Sequence, residues 1–312
     1  MRGTDRSRLR GSFVGVVAAV WLTAGTGWAH VPPEHRPIVV PFSMSDGNQV
    51  AAFHYPGHEP GPVLVMIHGA SDTHTVYDFA PGLRAAPELA ALGLSVLTLD
   101  RVGYGQSSHP NGDSLDFATS ASYVHQVIQG VRAGALGFSP SSVILVGPSA
   151  GADIAIVEAG TYHDVNGVIL GFHTSQLQPA LFQVDVGAWF AQGDYFDFGV
   201  DFRTQFFYAR PFGLQATINL DNATRSLVPR AEIQSALGNL SAPFIGQITV
   251  PVLLMQADRD ALFIPIDDSA LFTGSPEVAF ALLHLTGHKS FQHVTGHPQA
   301  VLRIAGWVRE RF

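Results

Sequence analysis

With 312 residues, 46% of them apolar and 13% charged, the chain is too apolar for a disordered protein and long enough to bury a substantial core in one or two domains. Seventeen basic side chains stand against twenty-five acidic ones, a formal charge of −8 that argues against a nucleic-acid partner. There is no cysteine, so disulfides, thiol catalysis and a lipid-modified cysteine are excluded.

Residues 1–29 read as a secretory leader. Arg2, Arg6, Arg8 and Arg10 precede the apolar run 12–24, and small residues lead to Gly27-Trp28-Ala29, with cleavage expected after Ala29. Threonine and glycine interrupt that run, and it falls short of the ~20 apolar residues a span needs. The mature chain is therefore expected to be secreted or periplasmic with no stable membrane anchor. Its formal charge would be −11, from 13 basic and 24 acidic side chains.

After the Pro-rich stretch 32–37, Ile38–Ser43 and Gln49–Tyr55 read as strands around the turn Asp46-Gly47-Asn48. A turn-rich link, 56–62, leads to the apolar run Val63–Ile67, then helix-like spacing over 79–92 and a second buried strand at Ser95–Leu99. The alternation continues with a helix over 117–136, a strand over 143–146, a helix over 150–159 and a strand over 165–172. Such a β-α-β series implies a parallel sheet covered by helices on both faces. Between 175 and 248 it breaks into a segment rich in aromatics, among them Phe182, Trp189, Phe190, Phe196, Phe202 and Phe207. That segment is read as an inserted cap, although for most of these aromatics taken singly, gluing helices to the sheet is the better reading. Strand patterns resume at 250–256 and 279–285, and an amphipathic helix over 298–311 closes the chain. The implied organisation is a leader (1–29), a first core part (30–174), the cap (175–248) and a second core part (249–312).

Chemistry concentrates at the strand ends. The run 143–146 stops at Gly147-Pro148-Ser149-Ala150-Gly151. A serine hydroxyl is a poor nucleophile and must stand on a tight turn within reach of a base, which glycines two residues either side permit. His68-Gly69 follows the third strand, Asp100-Arg101-Val102-Gly103-Tyr104-Gly105-Gln106-Ser107 the fourth, Asp258 and Asp260 with Pro265 the seventh, and Gly287-His288 the eighth. Together these motifs resemble the α/β-hydrolase superfamily, in its serine esterase and lipase branch with a cap, over nearly all of the mature chain.

The resemblance implies an eight-stranded, mostly parallel sheet and the order nucleophile, acid, base. Ser149 would be the nucleophile, His288 the general base and Asp260 the acid that orients it. Asp258 is the rival acid, because Ala257 stands where the superfamily usually has glycine. The backbone N–H groups of Ala70 and Ala150 would form the oxyanion hole, with Ser71 or His74 adding a contact. His68 and the loop from Asp100 to Ser107 would shape the site. His284, His288, His293 and His297 crowd one stretch without helical register or clustered carboxylates, so no metal site is expected there; His293 is the fallback base. His54, His58, His109, His125 and His163 read as surface or structural histidines.

The expected activity is a cofactor-free, metal-free cleavage of an ester, lactone or related acyl bond in a small hydrophobic substrate, through an acyl-enzyme. A cofactor-free haloperoxidase- or lyase-like reaction on the same triad, or a non-catalytic binding protein of this fold, are the alternatives. Sequons at Asn222 and Asn239 would matter only in a host that glycosylates exported proteins.

Overall fold

The computed structural model describes residues 36–209 and 212–312; the leader assigned to residues 1–29 lies outside them. In chain order, β1 (Ile38–Ser43), β2 (Gln49–Tyr55) and β3 (Val63–Ile67) precede α1 (Ala85–Ala91), β4 (Ser95–Leu99), α2 (Phe117–Arg132), β5 (Val143–Pro148), α3 (Ala150–Tyr162) and β6 (Gly167–Gly171). A long segment follows, made of α4 (Val186–Phe190), β7 (Tyr195–Phe196), α5 (Val200–Phe206), α6 (Gln215–Ala223), β8 (Val228–Pro229), α7 (Arg230–Leu237) and α8 (Ala242–Ile245). The chain then completes β9 (Val252–Ala257), β10 (Val278–Leu283) and α9 (Gly296–Arg311). Eight strands form one sheet in the order β1-β2-β4-β3-β5-β6-β9-β10, antiparallel at β1-β2 and β2-β4 and parallel elsewhere.

The central strands are apolar without alternation because both of their faces are covered. Within β3, Val63, Val65 and Ile67 join one core, where Leu145 of β5 meets Val124, Val127 and Ile128 of α2 and Ile154 of α3. Leu64 and Met66 point the other way, into a core shared by Ile144, Leu89 of α1 and Ile304, Trp307 and Val308 of α9. A strand's period of two divides one apolar run between two layers of helices.

The helix expected over 79–92 begins only at Ala85, because Pro81-Gly82 makes a reverse turn closed by the Leu83 N–H donating to Ala80 O at 2.8 Å. Pro81 has no N–H for a helix ladder, and Gly82 takes φ +80°. Between β6 and β9 the aromatics pack mainly on one another: Phe196, Phe198, Phe206, Phe207 and Tyr208 form a third core with Ile218, Val228 and Leu262. Trp189 stacks on Phe196 at 5.8 Å and meets Phe198 edge-on at 4.8 Å. Among the described residues no helix is long and apolar enough to cross a membrane.

Candidate active site

Ser149 sits between the end of β5 and the start of α3 with φ +55° and ψ −130°, outside the regions an L-residue prefers. The neighbouring backbone enforces that corner. A Cβ on Gly147 would lie 2.1 Å from the Gly151 carbonyl oxygen, and one on Gly151 would lie 2.8 Å from the carbonyl oxygens of Ile67 and His68. Only glycine allows the turn to close this tightly against the end of β3. The Ser149 N–H donates to Gly171 O at 2.8 Å, anchoring the corner to β6. Ala150 opens α3, so its amide is among the first four that find no acceptor inside the helix. The positive end of the helix dipole points at the same place.

His288 and Asp260 meet across 28 residues of sequence. His288 Nδ1 lies 2.8 Å from Asp260 Oδ2, with both side chains buried. The other oxygen, Asp260 Oδ1, accepts the N–H groups of Leu262 at 2.8 Å and Phe263 at 3.1 Å, so the carboxylate is fixed in orientation. A carboxylate there places the imidazole proton on Nδ1 and leaves the Nε2 lone pair free. Asp258 is engaged elsewhere, accepting from the Thr286 N–H and lying 3.6 Å from His284.

The four C-terminal histidines separate. His284 is exposed, while His297 bridges Phe291 O and Glu88. His293 is buried against Tyr208 with neither ring nitrogen partnered. Only His288 joins Ser149, Gly69, Ala70 and Phe172 in lining one small cavity of about 30 Å³, room for about one or two waters. The Phe207 and Phe263 rings flank His288 at 5.6 and 5.7 Å.

Two buried polar networks hold the loop after β3. On one side Arg101 Nε and Nη2 donate to the carbonyls of His68 and Gly69, and its guanidinium clasps Glu232 of α7 at 2.6 and 3.2 Å, with Tyr104 Oη also donating to Glu232. His68 donates from Nδ1 to Gly69 O, and its Nε2 accepts the Arg101 N–H. Burial first, and then the Arg101 charge, hold its pKa well below the ordinary value, so it stays neutral. On the other side Lys289 Nζ bridges Asp72 and Asp221, while Arg203 of α5, fully buried, binds Asp221 at 2.5 Å and donates to Ser71 Oγ. Burial pushes the Asp72 carboxyl up against the opposing pull of Lys289, whereas Asp221, facing two cations, falls below the usual range despite burial. Asp72 and Lys289 both reach the Ser149 cavity.

Residues 58–180 match the family model described as serine aminopeptidase, S33, a stretch from just before β3 to just beyond β6 that includes the Ser149 turn. An esterase from Thermogutta terrifontis is similar over 88% of this chain and 98% of its own, at 18% identity and TM-score 0.67. An esterase from Exiguobacterium antarcticum covers 87% and 100%, at 18% identity and TM-score 0.66. The chain has the α/β-hydrolase fold. A bacterial membrane phospholipase A described as a virulence factor is similar over 88% of both chains, at 21% identity and TM-score 0.60. No curated protein matches the chain by sequence.

Sequence reasoning missed both charge networks of this site. Lys289, the sole lysine and next to His288, was a visible signal; nothing singled out Arg203, Asp221 or Glu232. The sequon residue Asn222 is buried and binds Arg203 Nε through its side chain, so the folded protein offers it to no glycosyltransferase.

Lys289→Met strands Asp72 in the interior and is expected to cost on the order of 3–5 kcal/mol in urea unfolding, partly recovered in Lys289→Met/Asp72→Asn. His293 provides a pH test. Burial lowers its pKa to about 4, below the 6.5 of the unfolded chain, so between those values only the unfolded state binds the proton. Its contribution to stability is complete above pH 6.5 and is lost as pH falls towards 4. His293→Phe should flatten the stability slope across that window by on the order of 3 kcal/mol, read from denaturant midpoints.

Proposed function

We propose that this protein is an exported serine hydrolase that cleaves an ester, lactone or related acyl bond of a small hydrophobic substrate. The observation carrying this reading is that Ser149, on a strained corner, shares one cavity with His288, whose Nδ1 is held by the doubly anchored Asp260. In the proposed reaction the Ser149 hydroxyl attacks the carbonyl carbon as His288 Nε2 removes its proton. The resulting oxyanion is stabilised by the amides of Ala70 and Ala150, and collapse expels the alcohol, which takes the proton from His288. Water, deprotonated by the same imidazole, then releases the acid and restores Ser149.

The chemistry of the walls favours an ester over a peptide. An aminopeptidase needs a carboxylate free to receive the substrate's amine, and among the described residues lining the Ser149 cavity the one carboxylate, Asp72, is already paired with Lys289. Phe172, Phe207 and Phe291 line the remaining space and suit an apolar acyl or aryl group.

Hydrolysis of p-nitrophenyl esters of graded chain length tests the assignment. Ser149→Ala and His288→Ala are expected to lower kcat about 10⁴-fold or more, and Asp260→Asn about 10³- to 10⁴-fold. Asp258→Asn should stay within about threefold of the parent protein, since its loss touches neither Ser149 nor His288. Equal losses in Asp258→Asn and Asp260→Asn would refute the choice of acid, and full activity in Ser149→Ala would refute the mechanism.

A further inference from the structure

On the flank of the sheet covered by α2 and α3, His125 of α2, Glu158 of α3 and Asp164 in the loop before β6 converge, with one ligating atom of each within 4.8 Å of the other two. His125 Nδ1 lies 2.8 Å from Asp164 Oδ2, and Gln129 Nε2 donates to the same oxygen at 2.6 Å. The Tyr162 ring stacks on the imidazole at 3.9 Å. The nearby cation, Arg132, donates instead to the Asp164 main-chain oxygen and to Asn166 Oδ1, both at 2.7 Å.

An independent observation points to a missing partner. Glu158 is fully buried and neither of its carboxylate oxygens has a hydrogen-bond partner; Asp164 Oδ1 is buried and unpartnered as well. A buried carboxylate without a donor is strongly disfavoured unless something supplies positive charge. Two arrangements satisfy these oxygens: a proton shared between the carboxyls, or a cation held by all three residues.

We propose that His125, Glu158 and Asp164 form a binding site for one divalent cation of the zinc class, a clip joining α2 to the end of α3. The donor set decides the class. One imidazole nitrogen and two carboxylates, with a fourth position left for water, suit zinc, whereas calcium takes six or more oxygens and magnesium avoids imidazole. Ligands about 2.0–2.2 Å from a tetrahedral ion stand roughly 3.5 Å apart, so the cluster needs only side-chain rotation to close. The cation would replace the contact between His125 and Asp164. In a chain without cysteine, such a clip fixes two helices to the sheet as a disulfide would. The site stands apart from the Ser149 cavity, and its function is stability.

Chelator-stripped full-length protein titrated with zinc chloride, by calorimetry and thermal melting, tests the proposal. One zinc per chain is expected, raising Tm by roughly 5 °C when free zinc is a hundredfold above Kd. Glu158→Gln and His125→Ala should each weaken binding about a hundredfold or more and abolish the Tm shift. His125 is partly exposed, so its variant retains the fold if the buried substitution does not. No binding by the parent protein, binding that persists in both variants, or an equal response to calcium chloride would overturn it. So would Glu158→Gln melting at or above the parent with zinc inert, the signature of a shared proton.

Discussion

Crowding of backbone around Ser149 is the constraint from which the rest of the site follows. β5 is hydrogen-bonded on both edges, to β3 and to β6, so its end cannot shift sideways, and α3 must start at once to cover the sheet. The chain reverses within Gly147-Pro148-Ser149-Ala150-Gly151, and the serine is left at positive φ while the close approaches fall on glycines. Because strands flank the corner on both sides, unfavourable local geometry is held by cooperative pairing. One corner sets out the hydroxyl, the first amide of α3 and the helix dipole together.

The second layer of organisation is electrostatic. The loop carrying Gly69 to Asp72 is gripped from opposite sides by Arg101 with Glu232 and by Arg203 with Asp221 and Lys289, so α5, α6 and α7 of the segment between β6 and β9 are bound to it through buried charges. Networks of this kind contribute less to net stability than to a single geometry, since each charge is desolvated to form them. On the proposed mechanism, the Ala70 amide inherits its position from these contacts. On the proposed function, the cavity of about 30 Å³ is smaller than an ester substrate, so binding would require lining side chains such as Phe207 to move.

Legibility in the sequence follows the range of the interactions. The strands were readable because β3, β4, β5 and β9 are buried on both faces, which makes them continuous apolar runs. The Ser149 turn was readable because its glycines answer a local steric demand. Asp260 was preferred over Asp258 only through the family resemblance, since the distinction lies in which carboxylate the loops bring to a histidine 28 residues further on. The helix starting at residue 79 was misread because apolar spacing concealed the Pro81-Gly82 turn. Arg203, Glu232 and the cluster of His125, Glu158 and Asp164 left no pattern at all; their partners are distant in sequence, and a buried charge looks like a surface charge until the chain folds.

The central claim is that Ser149 is a nucleophile activated by His288. Reaction of the protein with a fluorophosphonate, followed by intact mass and peptide mapping, tests it most directly, because the reagent phosphonylates a serine whose proton is taken by a neighbouring base. The account predicts one adduct per chain, on Ser149, that fails to form in His288→Ala. An adduct on another serine, or equal labelling of Ser149 in the folded His288→Ala protein, would contradict it.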